Sequence, residues 1–178
     1  MNIWHDIDPK RITRKQFDAV IEISKGSKMK YELDKETGLL KLDRVLFTST
    51  HYPANYGFIP RTYGDDHDPL DVLVLCSESI RPMTIVRCYP IGVMKMEDNG
   101  EGDEKIIAIP YADPTYMRYK DISELPAHIF DEMQHFFKHY KSLEGKKTVV
   151  NELGNAEEAV KIIRHCIEHY KETFVKSE

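Results

Sequence analysis

The sequence predicts an α+β fold that is mainly β: a small closed or half-closed barrel of short strands with two amphipathic helices packed outside. Three observations carry that reading. The first two thirds of the chain consist of short apolar segments punctuated by Gly and Pro. The last third changes to helical spacing. No internal repeat and no low-complexity linker divides the chain, so one domain spanning residues 1–178 is expected, long enough to bury about 70% of its unfolded surface.

The strands are read in order. Asp18 to Ile23 is apolar and β-branched at Val20, Ile21 and Ile23. Met29 to Leu33 runs into the polar turn Asp34-Lys35-Glu36-Thr37-Gly38, and Leu39 to Arg44 alternates Leu40 and Leu42 with polar partners. These three pieces predict a hairpin-rich sheet. Further strands are expected at Asp71–Cys76, Thr84–Met96 and Lys105–Ile109, with breaks at Pro53, Gly57, Pro60, Gly64 and Pro69 among others. Ile129, Phe130, Met133, Phe136, Phe137 and Tyr140 then fall on one helical face after Pro126. A second helix opens at Asn155 with Glu158 three residues on, a capping-box pattern, and carries Ala159, Ile163, Cys166, Tyr170 and Phe174 along one stripe.

Bulk properties exclude several classes. A formal charge of −5 argues against a nucleic-acid binder. The longest apolar runs, such as Val72 to Cys76, are too short to cross a bilayer, and Met1 to Asp6 lacks the basic start and apolar core of a signal peptide. A cytoplasmic protein is expected. Cys76, Cys88 and Cys166 are odd in number, widely spaced and set among apolar neighbours, which predicts buried reduced thiols.

The chemistry concentrates in Asp65-Asp66-His67-Asp68-Pro69-Leu70-Asp71, directly before an apolar strand. Converging aspartates repel unless positive charge sits among them. A rigid edge that offers several hard oxygens suits Mg²⁺. A second acidic loop runs from Asp98 to Asp103, where Gly100 and Gly102 leave both aspartates free to turn toward one ion. Three sharper alternatives fail. An EF-hand counted from Asp66 puts Asp71 where Gly belongs and Ser77 where the last carboxylate belongs. A phosphatase of the haloacid dehalogenase type needs its apolar strand before the DxD, whereas Arg61-Thr62-Tyr63-Gly64 stands there. His165-Cys166-Ile167-Glu168-His169 matches a zinc-peptidase pattern, but Cys166 and Ile167 belong to the buried stripe; His135 and His139 carry Phe136 where the base of the HExxH form would stand. Lys30, Arg44, Tyr52, Tyr56, Tyr140 and Lys141 punctuate the chain. Together they suit a site where metals meet one side of an anion and cations meet the other.

These residues resemble a known family. Asp66-His67-Asp68-Pro69-Leu70-Asp71-Val72 is similar to the D-x-D-P-x-D-x signature of the soluble family I inorganic pyrophosphatases, in their short bacterial form. Ile21-Glu22-Ile23, Lys30 to Lys35, Leu42-Asp43-Arg44, Tyr52 to Ile59, Asp98 to Lys105 and His139-Tyr140-Lys141 resemble further family blocks in the same order. The likeness spans residues 15 to 170; Ser24 and the stretch Asn151 to Gly154 depart from the common pattern without touching a site residue.

The resemblance implies an OB-like five-stranded closed β-barrel with additional strands and two flanking C-terminal helices. It implies hydrolysis of inorganic pyrophosphate with several Mg²⁺ ions, for which Mn²⁺ is a substitute, in a homohexamer. By the same resemblance Asp66, Asp71 and Asp103 would bind the tightest ions, with Asp71 shared, and Asp98 would join Asp103 in holding more. Asp68 would take the proton of the attacking water. Lys30, Arg44, Tyr56, Tyr140 and Lys141 would contact phosphate oxygens, with Glu22, Glu32, Lys105 and Tyr52 in support. Chemistry alone requires the cations, since a carboxylate pocket and a pyrophosphate ion repel. Two rivals are weaker: a single-strand nucleic-acid module would need a basic groove, and a nucleotide or polyphosphate hydrolase would show a Gly-rich phosphate loop or a base-recognition motif.

Overall fold

A computed structural model describes residues 1–175. A four-residue helix, α1 (Ile3–Asp6), precedes β1 (Phe17–Ile23), β2 (Met29–Leu33), β3 (Leu40–Val45), β4 (Asn55–Ile59) and β5 (Leu70–Val74). The long β6 (Ile85–Asp98), the short β7 (Glu101–Gly102) and β8 (Lys105–Pro110) follow. Helix α2 (Ala127–His139), β9 (Thr148–Asn155) and α3 (Ala156–Phe174) complete the chain.

Five strands close into a ring. β1 pairs antiparallel with β4, β4 with β5, β5 runs parallel to β8, β8 lies antiparallel to β6, and β6 returns to β1. This is the closed barrel, mainly β with two C-terminal helices, that the sequence predicts. Alternation of side chains sorts the core into two layers. Phe17, Ile59, Val72, Cys88, Val93 and Ile106 come one or two from each ring strand, and α3 packs Ala159, Ile163 and Cys166 against them. The neighbouring residues Leu73, Ile91, Met94 and Ile107 face the other way, onto Phe130, Met133, Phe136 and Phe137 of α2. Each such side chain contributes about 1.5–3 kcal/mol when fully buried. The helix limits follow the sequence signals: Asn155 and Glu158 form the reciprocal capping box, and Pro126 precedes α2. Cys88 and Cys166 are buried free thiols and Cys76 is half-buried, so no disulfide joins them.

Three elements differ from expectation. β1 does not extend the β2–β3 hairpin; it belongs to the ring, while β2 and β3 form a two-stranded sheet of their own. β4 hides behind Pro53 and Gly57, which read as breakers. Gly57 sits in that strand because β1 approaches closely: a Cβ there would stand 1.8 Å from the Val20 carbonyl oxygen. β9 is not among the expected strands: it is exposed at half its positions, and its pairing along β6 sets Val150 and Leu153 against the core.

Replacing Gly57 with Ala should therefore open the β1–β4 pairing and destabilise the protein by at least about 1–3 kcal/mol, the usual cost of overpacking. Urea unfolding at fixed pH measures it, and a midpoint equal to the parent's would refute the close-approach argument.

Candidate active site

The ring places the acidic residues at one edge. Parallel pairing sets Asp71 of β5 directly beside Lys105 of β8, and β4 brings Tyr56 alongside. Lys105 is 2% exposed. Its Nζ lies 2.8 Å from Asp71 Oδ2, 3.0 Å from the Tyr56 hydroxyl and 3.2 Å from Asp103 Oδ1. A lone ammonium buried so deeply would lose its proton. Here burial works against the charge, but Asp71, Tyr56 and Asp103 outweigh it and hold the pKa well above the ordinary value.

The loop between β4 and β5 adds Asp66 and Asp68. The Gly64 amide donates to the Asp68 carbonyl, the Asp68 amide donates to Asp66 Oδ1, and His67 takes a left-handed backbone at φ 63° to turn the loop. The Leu70 amide donates to the buried Thr62 hydroxyl, which fixes the loop's exit into β5. At the end of β6, Asp98 accepts from Lys141 Nζ at 2.7 Å, so the start of the α2–β9 connection reaches the same site. The β2–β3 hairpin contributes Lys30 and Glu32, whose charged ends lie 3.6 Å apart.

These side chains line one cavity of about 470 Å³. Glu22, Lys30, Glu32, Tyr56, Asp66, Asp68, Asp71, Asp98, Asp103, Lys105, Tyr140 and Lys141 all meet in it. Two expected site residues do not reach the lining. Tyr52 is buried behind the site, its ring 5.4 Å from that of Tyr56 and 4.7 Å from that of Phe136. Arg44 lies beside the cavity, paired with Asp43 and with Glu144, whose Oε1 is 2.7 Å from its Nε in poor hydrogen-bond alignment. Its Nη2 is buried without a partner among the described residues. Sequence reasoning also missed five lining residues of the hairpin: Tyr31, Leu33, Asp34, Lys35 and Lys41. Tyr31, Asp34 and Lys35 fall inside a block noted for its resemblance, yet only the folded hairpin reveals that the turn curls over the site. The rejected histidine patterns stay apart from it: His169 Nδ1 lies 3.0 Å from the Tyr63 carbonyl, and His135, which lines a second cavity, has its ring 4.5 Å from that of His139 and tilted by 46°.

Electrostatics sets what the cavity will accept. Eight carboxylate side chains face five lysines across it. Burial, then Asp71 and Asp103, pushes Asp66 up to about 7. Burial, then Asp71, pushes Glu22 up to about 8. Asp71 itself is raised by burial and by Asp103, against the pull of Lys105. The donors are hard oxygens in excess of the cations that balance them. Among the described residues no three carboxylate, histidine or cysteine side chains converge into a ready-made cage. That arrangement fits Mg²⁺, which takes one or two carboxylates per ion and keeps much of its water. A crowded carboxylate cavity at the edge of a closed barrel is the equipment of a hydrolase acting on a small, highly charged anion.

Comparison with known proteins makes the class specific. The family model described as inorganic pyrophosphatase matches residues 19–171. Soluble inorganic pyrophosphatase 2 of Chlamydomonas reinhardtii is 49% identical over 172 residues, which are 97% of this chain and 90% of that protein. Soluble inorganic pyrophosphatase 1 of Arabidopsis thaliana is 48% identical, covering 95% of this chain and 80% of its own. The inorganic pyrophosphatase structure from Thermus thermophilus superposes with a TM-score of 0.91 at 37% identity, over 96% of this chain and 99% of that one. That from Helicobacter pylori gives 0.88 at 43% identity, over 93% and 99%. The chain belongs to the inorganic pyrophosphatase family.

The raised Glu22 carboxyl predicts a pH dependence for chelated protein. A carboxyl whose folded pKa exceeds its unfolded value binds more protons when folded, so its contribution to stability is full at low pH. That contribution is lost as pH rises from about 4.5 through about 8. Melting temperature should fall across that window, and Glu22→Gln should flatten the fall; a variant that melts with the parent's full pH dependence would remove Glu22 as its source.

Proposed function

We propose that this member of the inorganic pyrophosphatase family hydrolyses inorganic pyrophosphate to two phosphates in the cavity above, as one domain over residues 1–178, with Asp68 as general base. The observation that carries the reading is the convergence of Asp66 and Asp68 of the β4–β5 loop, Asp71 of β5, Asp98 of β6 and Asp103 of the β7–β8 connection on one cavity with lysines along its walls.

Asp66, Asp71, Asp98 and Asp103 would hold several Mg²⁺ ions, with Mn²⁺ as a substitute, and Asp71 would be shared between two. Bound there, the ions supply charge neutralisation for a polyanionic substrate and acidify a coordinated water. The chain's own residues do the remainder. The Asp68 side chain lines the cavity and is 60% accessible, which suits a group that must meet water and accept a proton. Lys30, Lys141 and Arg44 would donate charge-assisted hydrogen bonds to phosphate oxygens, with Tyr56 and Tyr140 beside them. The unpartnered Nη2 of Arg44 supports that role, since a buried donor left unpaired is costly. Lys105, Glu22, Glu32 and Tyr52 would keep the carboxylates apart and in place. In phosphoryl transfer such positioning and charge neutralisation supply most of the rate.

No helix among the described residues is long and apolar enough to cross a membrane. A cytoplasmic enzyme without nucleic-acid or membrane partners, assembled as a homohexamer, completes the proposal.

Phosphate release from pyrophosphate, with magnesium present or chelated, tests it. Asp68→Asn should lower turnover by about 10²–10⁴-fold, the usual worth of a positioned base, while magnesium binding persists. Normal turnover would remove Asp68 from the mechanism. Asp71→Asn should weaken magnesium affinity as well as rate, and a titration that superimposes on the parent's would contradict the shared-ligand role.

A further inference from the structure

Lys35 stands in the turn of the β2–β3 hairpin and lines the cavity. Its Nζ lies 2.5 Å from Asp68 Oδ1 and, on the other side, 4.7 Å from the centre of the Trp4 ring. A half-exposed lysine paired with an exposed carboxylate ordinarily samples many rotamers and fixes little. Here the ammonium is gripped twice, because an indole face attracts a cation as a carboxylate does.

The indole is itself immobile. Trp4 is 6% exposed and packs among Val20, Leu33, Phe58 and Tyr170. Its Nε1 donates to the Thr62 carbonyl at 2.9 Å, and its own carbonyl accepts from the Arg61 amide at 2.9 Å. Thr62 is the residue whose hydroxyl receives the Leu70 amide, so Trp4 is pinned to the base of the aspartate loop. Asn2 Nδ2 donates to the Lys35 carbonyl at 3.0 Å and ties the hairpin turn to the same N-terminal segment. Residues 2–4 lie ahead of the span that the family model matches.

We propose that Lys35 is a positioning residue: Trp4 holds its ammonium, and the ammonium holds the Asp68 carboxylate in the orientation the reaction uses. The inference rests on Asp68 acting as the base. It makes the N-terminal segment part of the active site, acting through one lysine.

Steady-state kinetics on the full chain with saturating magnesium test it. Lys35→Met should lower kcat by about tenfold, the low end for a charged hydrogen bond, and Lys35→Arg should recover most of it. KM for pyrophosphate should stay within about twofold. Trp4→Leu should lower kcat in the same direction, and the double variant with Lys35→Met should be no slower than Lys35→Met alone. Trp4→Phe replaces it if the leucine variant does not fold, and melting curves read any loss of packing separately. In an Asp68→Asn background, Lys35→Met should have no further effect. Parental kcat in Lys35→Met overturns the inference, as does a raised KM at unchanged kcat or an equal loss in the Asp68→Asn background. Normal turnover in Asp68→Asn alone would sink the base assignment instead.

Discussion

The ammonium of Lys105 between Asp71, Asp103 and Tyr56 is the interaction on which the site depends. Two aspartates forced together at a barrel edge repel, and partial burial strengthens the repulsion. A buried lysine alone is equally unfavourable. Placed within 2.8 Å of Asp71 and 3.2 Å of Asp103, each side makes the other tolerable. Such a pair contributes little net stability compared with apolar packing. What it secures is geometry: carboxylates that face the cavity and do not turn away into solvent.

The barrel supplies that geometry by register. Asp71 and Lys105 are Cα partners in the parallel pairing of β5 with β8, and Phe58 opposite Asp71 in β4 sets the neighbouring strand. Rigid paired backbone holds these groups more closely than a loop does. The less constrained groups stand around the rim, Asp68 on a loop and Asp98 at the last residue of β6, each tied by a cation: Asp68 by Lys35 and Asp98 by Lys141. The rim is thus an alternation of acid and base, with more carboxyls deeper in, where burial and mutual repulsion push Glu22 and Asp66 up to about 8 and about 7 and favour their protonated forms. The family's metal dependence has a physical counterpart here: with eight carboxylate side chains against five lysines, the cavity would take a polyanion together with cations.

The β2–β3 hairpin is a separate small sheet, off the ring. It carries Lys30, Glu32, Lys35, Lys41 and Arg44, so the basic wall and the acidic floor belong to different structural units. Their relative placement is set by contacts distant in sequence: Trp4 beneath Leu33, Asn2 on Lys35 and Arg44 against Glu144. The unpartnered Nη2 of Arg44 marks where this wall still has a donor to offer.

The chain's order of residues alone determined the strand-then-helix plan, the capping box at Asn155, the reduced thiols and the dense aspartate segment, because each is a local pattern of period, cap or charge. It also located most of the cavity residues, through blocks that resemble a known family. Tertiary structure decided what depends on proximity. Gly57 reads as a breaker until β1 is seen pressing on it, β9 shows no strand signal until β6 pairs with it, and β1 leaves the hairpin for the ring because its apolar residues are buried there. Lys35 looked like an ordinary turn residue, and nothing local connects residue 4 to residue 68. Long-range packing makes that connection, since cation–π attraction and ion pairing act over a few ångströms of space regardless of separation along the chain.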